Sequence, residues 1–255
     1  MIKIVESFEF EMLACVAVVA IAKTITKNNR WNILKTPLLK AKNITKEVNS
    51  PEGVLTIVSD INLSVYQGQA ISIVGPSGSG KTSLLAILAG LDLPSKGQVW
   101  LADQEITGLD EDARAQIRGE KVGFVFQSFH LLPKLSAVDN VMLPLEIKGD
   151  KQAKEKALKA LTRVGLQKRA SHLPKQLSGG EKQRVAIARA FVTKPTILFA
   201  DEPTGNLDKV SSESVGELLF SINQESGTTL ILVTHDPVLA GRCELTHQLD
   251  EGRIK

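Results

Sequence analysis

The stretch GPSGSGKT, residues 75–82, puts four residues between Gly75 and Gly80 and follows the second with a lysine and a threonine. A loop of this kind, Gly75, Pro76, Ser77, Gly78, Ser79 and Gly80, can wrap its backbone N–H groups around a β-phosphate. Its glycines remove the Cβ atoms that would clash. Lys81 then bridges the β- and γ-phosphates, and the Thr82 hydroxyl ligates Mg²⁺. An Asp–Glu pair closes the apolar run TILFADE at 201–202. There Asp201 can hold the Mg²⁺ shell and Glu202 can polarise the water that attacks the γ-phosphate. Gln127 ends the run VGFVF and can touch the metal or the water. His235 ends LILVTH and can donate to the γ-phosphate, or simply pair with Asp236. Together these groups describe hydrolysis of a triphosphate such as ATP with Mg²⁺.

A second anion-binding turn follows at LSGGEKQRVAIARA, residues 177–190. Ser178 stands at an N-cap with Glu181 three positions on, a capping box. Gly179 and Gly180 leave N–H groups uncovered at the positive end of the helix. No lysine lies in this turn, and it follows a helical stretch that should separate it from Lys81. Two chains packed head to tail would let the turn of one close over the γ-phosphate held by the other. The plainer reading is a well-capped helix and nothing more.

The elements that must position these groups follow from the hydrophobic pattern. AISIVG (70–75), VGFVF (122–126), TILFA (196–200) and TTLILVT (228–234) are short apolar runs suited to strands buried in a parallel sheet. Helices are expected at 82–89, 110–118 and 209–225, so strands and helices alternate as in an α/β domain. LLKAKNIT and VLTIVSDINLSVYQG alternate as antiparallel strands around a turn at SPEG (50–53), and GQVWLADQEI reads as one further strand. Residues 136–176 show helical periodicity and no strand signal, marking an inserted helical subdomain, with the capped helix starting from 178. His130, His172 and His247 have no placement at these strand ends and read as surface residues.

The chain has 255 residues, 43% of them hydrophobic, with a net charge of +3, enough for one α/β domain and too mild a charge to argue for nucleic acid. Cys15 and Cys243 share no metal-ligand spacing and read as reduced thiols. Residues 1–36 differ from the rest. Met12–Ala22 is an apolar run of 11 residues, about half the ~20 that span a bilayer. From residue 12 to 46 there is no acid, while Lys23, Lys27, Arg30, Lys35, Lys40, Lys42 and Lys46 are basic. This segment is expected to be a disordered extension or an arm resting on an anionic membrane surface. The folded domain is expected over 37–255.

Taken together, GPSGSGKT, Gln127, LSGGE, ILFADE, GNLD (205–208) and His235, in this order, resemble the nucleotide-binding subunit of ATP-binding cassette (ABC) transporters. The resemblance covers residues 37–255. It implies a P-loop NTPase core with a parallel sheet, an N-terminal antiparallel β subdomain and an inserted α-helical subdomain. It also implies a head-to-tail homodimer around two ATP, with Ser178, Gly179, Gly180 and Asp208 joining the nucleotide site. FQSFHLLP and ADEPTGNLD are similar to the branch serving lipoprotein release, the MacB-type exporters and FtsE. That branch implies an ATPase on the cytoplasmic face of a bacterial inner membrane, driving an FtsX-like permease through a surface near Phe129, Leu131 and Leu132 and the helical subdomain. A soluble ATPase of the same fold, acting on DNA or ribosomes, is the alternative. Such relatives carry a long coiled coil or a second cassette, and this sequence shows neither.

One position departs from the family pattern. Val48 stands where most relatives carry an aromatic residue that stacks on adenine. Val48→Tyr is expected to tighten ATP binding by about 1–3 kcal/mol, on the scale of base–aromatic stacking, and to sharpen base preference. Titrations with ATP and GTP check it, and unchanged affinity would refute this reading of residue 48.

Overall fold

In the computed structural model, residues 36–51 and 53–255 are described, and the compact unit runs from Pro37 to Lys255. The apolar run 12–22, Cys15 and the basic residues from 23 to 35 lie outside the described residues. The chain opens with a hairpin of β1 (Leu39–Ser50) and β2 (Gly53–Val65), closed at the SPEG turn by Ser50 opposite Gly53. Then come β3 (Ala70–Val74), α1 (Lys81–Leu88), β4 (Lys96–Leu101), β5 (Gln104–Glu105), α2 (Glu111–Lys121) and β6 (Val122–Val125). The helical region holds α3 (Ala137–Ile147) and α4 (Ala153–Arg163), and α5 (Gly179–Phe191) follows it. The chain ends with β7 (Ile197–Asp201), α6 (Lys209–Ser226), β8 (Thr229–Val233), α7 (Pro237–Ala240), β9 (Leu245–Asp250) and β10 (Arg253–Ile254).

Two sheets form among the described residues. One is antiparallel, in the order β2-β1-β4-β5. GQVWLADQEI, expected as one strand, folds back on itself instead. Ala102 (φ 49°) and Asp103 (φ 64°) are both left-handed, the backbone of a two-residue hairpin turn, and Leu101 pairs with Gln104. The other sheet runs β10-β9-β3-β8-β7-β6 and is parallel from β9 to β6.

Every residue of β7 and β8 is buried. This explains why these strands read as unbroken apolar runs: both faces of the sheet are covered. On one face Phe199, Ile71 and Ile73 pack with Leu84 and Leu88 of α1 and with Leu39, Ile44 and Ile61 of the antiparallel sheet. On the other, Leu198, Leu230 and Leu232 pack with Ile187 and Phe191 of α5 and Val215 and Leu219 of α6. Each such side chain taken from water stabilises the fold by roughly 1.5–3 kcal/mol.

The helical region has its own core of Val141, Leu145, Ala157 and Leu161, and that core also takes Val185 and Ala188 from α5 and Val192 just past its end. Helix α5 therefore belongs to two cores at once. Asn140, fully buried on α3, ties the preceding loop down. Its Nδ2 donates to the carbonyls of Leu132, Leu135 and Ser136, and its Oδ1 accepts from the Leu132 N–H at 2.8 Å. Asn140→Ala takes away the partners of the Leu132 N–H and the Leu135 carbonyl, whereas the Leu132 and Ser136 carbonyls keep the N–H groups of Leu135 and Asn140. It is expected to destabilise by about 1–3 kcal/mol, the usual cost of losing the partner of a buried polar group. Urea unfolding monitored by circular dichroism reads the change.

Candidate functional site

Strands β3, β8, β7 and β6 lie side by side and parallel, so their carboxyl ends open on one edge of the sheet. There the chain places the phosphate loop after β3, His235 after β8, Asp201 and Glu202 at the end of β7, and Gln127 after β6. The register is tight: Val233 pairs with both Ile73 and Asp201, and Val125 pairs with Ala200. A crevice at the carboxyl ends of such a sheet is where α/β folds bind ligands.

The loop 75–80 is shaped by its neighbours as well as by its turns. A Cβ on Gly75 would stand 2.0 Å from the Leu249 carbonyl oxygen, and one on Gly80 would stand 2.7 Å from that of Ile57. These two glycines are needed because β9 and β2 press on the loop. Gly78 has φ 81° and open space around it, so there the requirement is conformational. Gly80 (φ 96°) stands at the N-cap of α1 without a side-chain cap, leaving the positive end of that helix turned to the loop. Lys81, only 7% exposed, donates to the carbonyls of Gly75 at 2.9 Å and Pro76 at 2.8 Å. The Ser79 hydroxyl is buried without a partner. A cradle with free donors and a folded-in ammonium suits a polyphosphate.

Asp201 is buried, and its Oδ1 has no hydrogen-bond partner. Burial, reinforced by the charge of Glu202, raises its pKa above the ordinary carboxylate value, against a hydrogen bond from Thr82 and the charge of Lys81. An orphaned carboxylate oxygen beside a threonine hydroxyl is the donor set that a hard divalent cation such as Mg²⁺ takes.

Glu202 follows in a left-handed conformation, φ 42°, which a non-glycine residue adopts at a cost. The backbone enforces it: the Glu202 N–H donates to the Val233 carbonyl at 2.9 Å, and the Gly205 N–H returns to the Glu202 carbonyl at 3.0 Å. The result aims Oε2 at His235, whose Nδ1 lies 3.3 Å away. His235 thus pairs with Glu202, while Asp236 caps α7 through the N–H groups of Val238 and Leu239. Gln127 reaches the same place. A Cβ on Gly205 would meet Gln127 Nε2 at 2.8 Å and Glu202 Oε2 at 3.3 Å, so both groups crowd one glycine. The Asn206 Nδ2 donates to the Gln127 carbonyl at 3.2 Å.

The second turn has the expected capping box. Ser178 Oγ accepts from the Glu181 N–H, and Glu181 accepts from the Ser178 N–H at 2.8 Å, which holds the Glu181 carboxyl below its ordinary pKa. Its glycines differ in what surrounds them. Gly179 is half-buried, whereas Gly180 is buried, and a Cβ there would lie 2.6 Å from Ser211 Oγ and 2.9 Å from Ser211 Cβ. Gly180 therefore sets how closely α5 approaches α6. Asp208, expected at the nucleotide, caps α6 and accepts from the N–H and hydroxyl of Ser211. That bonding lowers its pKa.

One side reading changes. His247, read as a surface residue, is half-buried on β9 with Nε2 unpartnered, and desolvation lowers its pKa. Cys243 is partly buried with its thiol pushed up to about 11, so it is chemically quiet. Asn206, Gln183 and Arg189 contact the Gln127 segment. Residue type and spacing mark none of them, apart from Asn206 lying within GNLD.

Residues 58–205 match the family model described as ABC transporter. The chain is 50% identical over 220 residues to the ABC transporter ATP-binding protein YbbA of Escherichia coli K12, covering 86% of this chain and 96% of that protein. It is 48% identical over 217 residues to the lipoprotein-releasing system ATP-binding protein LolD of Idiomarina loihiensis, covering 84% and 95%. Among solved structures it is similar to the ATP-binding cassette MJ0796, determined as a dimer in a post-hydrolysis state with ADP and phosphate. The TM-score there is 0.80 at 40% identity, covering 85% of this chain and 96% of that one.

Gly180→Ala is expected to force α5 and α6 apart and destabilise by about 1–3 kcal/mol, the usual scale of overpacking. Ser211→Gly in the same chain should recover only part of that loss: it removes the facing Cβ, but also the hydroxyl bond to Asp208, and puts a glycine into α6. Thermal melts of the single and double variants decide it.

Proposed function

Because the chain belongs to the ABC transporter family, as an ATP-binding subunit with transport-coupled ATPase activity, we propose that it drives an FtsX-like or MacB-type membrane permease from the cytoplasmic face of a bacterial inner membrane. Residues 37–255 form its nucleotide-binding domain and about 136–176 the helical subdomain. The observation that carries the catalytic reading is the strand-end cluster: an orphaned Asp201 oxygen beside Thr82, next to a Glu202 carboxylate held against His235.

In this reading the loop 75–80 cradles the β-phosphate with its N–H groups. Lys81 exchanges the carbonyls of Gly75 and Pro76 for phosphate oxygens. Asp201, Thr82 and Gln127 would hold Mg²⁺, which would offset the charge developing on the phosphates. Glu202 accepts the proton of the attacking water as general base. His235 orients that carboxylate and donates to the γ-phosphate. Ser178, Gly179 and Gly180 close on the nucleotide of a second copy packed head to tail, a reading supported by the dimeric cassette to which the chain is similar. Asp208 serves by fixing the turn into α6.

No helix among the described residues is long and apolar enough to cross a membrane. The permease would dock near the exposed Leu132 and the half-buried Phe129 and Leu131. The likeness to a lipoprotein-releasing ATP-binding protein supports that class of partner.

Glu202→Gln is expected to bind ATP and remain dimeric while kcat falls by about 10²–10⁴, the usual contribution of a general base. Phosphate release and gel filtration with ATP read both effects, and normal turnover would remove Glu202 from that role. The same tagged variant, drawn from gently solubilised membranes with ATP, should carry an FtsX-like permease. Recovery of only soluble proteins or nucleic acid would overturn the membrane assignment.

A further inference from the structure

Directly after Gln127 the backbone takes a turn that its residue types disfavour. Phe129 (φ 61°) and His130 (φ 48°) are both left-handed, without a glycine or asparagine to ease it. The His130 N–H reaches back to the Ser128 carbonyl at 2.6 Å, a three-residue turn of the strained positive-φ kind. Strain of this sort persists only where the surroundings enforce it.

The enforcing group comes from α5. Arg189 Nη1 donates to the His130 carbonyl at 2.6 Å, and Nη2 donates to the Phe129 carbonyl at 2.9 Å. A guanidinium is a planar fork, so two bonds from it fix two successive peptide planes together. Burial lowers the Arg189 pKa, and no carboxylate is among the causes that act on it. A partly buried cation is thus held by two peptide carbonyls. Further up the same helix, fully buried Gln183 has its Nε2 3.4 Å from the Phe126 carbonyl. Helix α5 therefore touches the chain on both sides of Gln127, while Asn206 holds the Gln127 carbonyl from the opposite loop.

We propose that Arg189 is a positioning residue for ATP hydrolysis: by clamping the 128–130 turn it sets where the Gln127 amide stands beside Glu202. The inference rests on the proposed role of Gln127. It assigns the C-terminal half of α5 a catalytic consequence, whereas the capped turn at its other end is the part expected at the nucleotide.

The test uses the full chain and compares R189K, R189Q, Q127A and the double variant R189K/Q127A by steady-state ATPase kinetics and thermal melts. Lysine keeps the charge but loses the fork. R189K is expected to lower kcat about tenfold, through misplacement of the Gln127 amide, with KM for ATP nearly unchanged and Tm lowered by only a few degrees. R189Q should lower kcat at least as far, and R189K/Q127A should be no slower than Q127A alone. Unchanged kcat in R189K, or a further loss on top of Q127A, would overturn the proposal. So would a collapse of Tm in both Arg189 variants, which would assign the residue to folding. Q127A read alone tests the prior step: full activity there would withdraw the role of Gln127 itself, whatever R189K does.

Discussion

Parallel hydrogen bonding of β3, β8, β7 and β6 is the constraint on which the site depends. Parallel register aligns the carboxyl ends of the strands, so four segments far apart in sequence finish on one edge. The pairing of Val233 with both Ile73 and Asp201 leaves little freedom in how the phosphate loop, the acidic pair and His235 face one another. A parallel sheet is stable only with both faces covered. The antiparallel sheet with α1 on one side, and α5 with α6 on the other, are thus conditions for the site as well as for the fold.

The covering layers also shape the site directly. The carbonyls of Leu249 and Ile57 crowd Gly75 and Gly80, so the sheet edge and the hairpin help to mould the phosphate loop. The loop after β7 holds Glu202 at φ 42° through bonds to Val233 and Gly205. A side chain held in a sparsely populated conformation stays there because the surrounding bonds over-determine it. That fixes a carboxylate before any ligand arrives, which is the preorganisation that a charged reaction path rewards.

Helix α5 is where the two halves of the molecule meet. Ile187 and Phe191 pack under the sheet, Val185 and Ala188 pack in the helical region, and Gln183 and Arg189 reach the backbone around Gln127. With residues in both cores, the helix cannot shift against one without disturbing the other, because interiors are close-packed. Its N-terminal turn is anchored by the Ser178–Glu181 capping box and by the contact of Gly180 with Ser211.

By itself the sequence determined what local chemistry encodes. The apolar runs identify the buried strands, the capping box at 178–181 marks the start of α5, and the loop 75–82 announces phosphate binding, because each signal lies within a few consecutive residues. Its failures were also local: Ala102 and Asp103 turn GQVWLADQEI into a hairpin although neither is a glycine. Only the tertiary structure decided the long-range matters. It pairs His235 with Glu202 rather than Asp236, sets Gly180 against Ser211, half-buries His247 and brings Arg189 to the turn after Gln127. Each of these depends on which groups of distant segments come to face one another, and that is settled only when the sheet and helices close on one another.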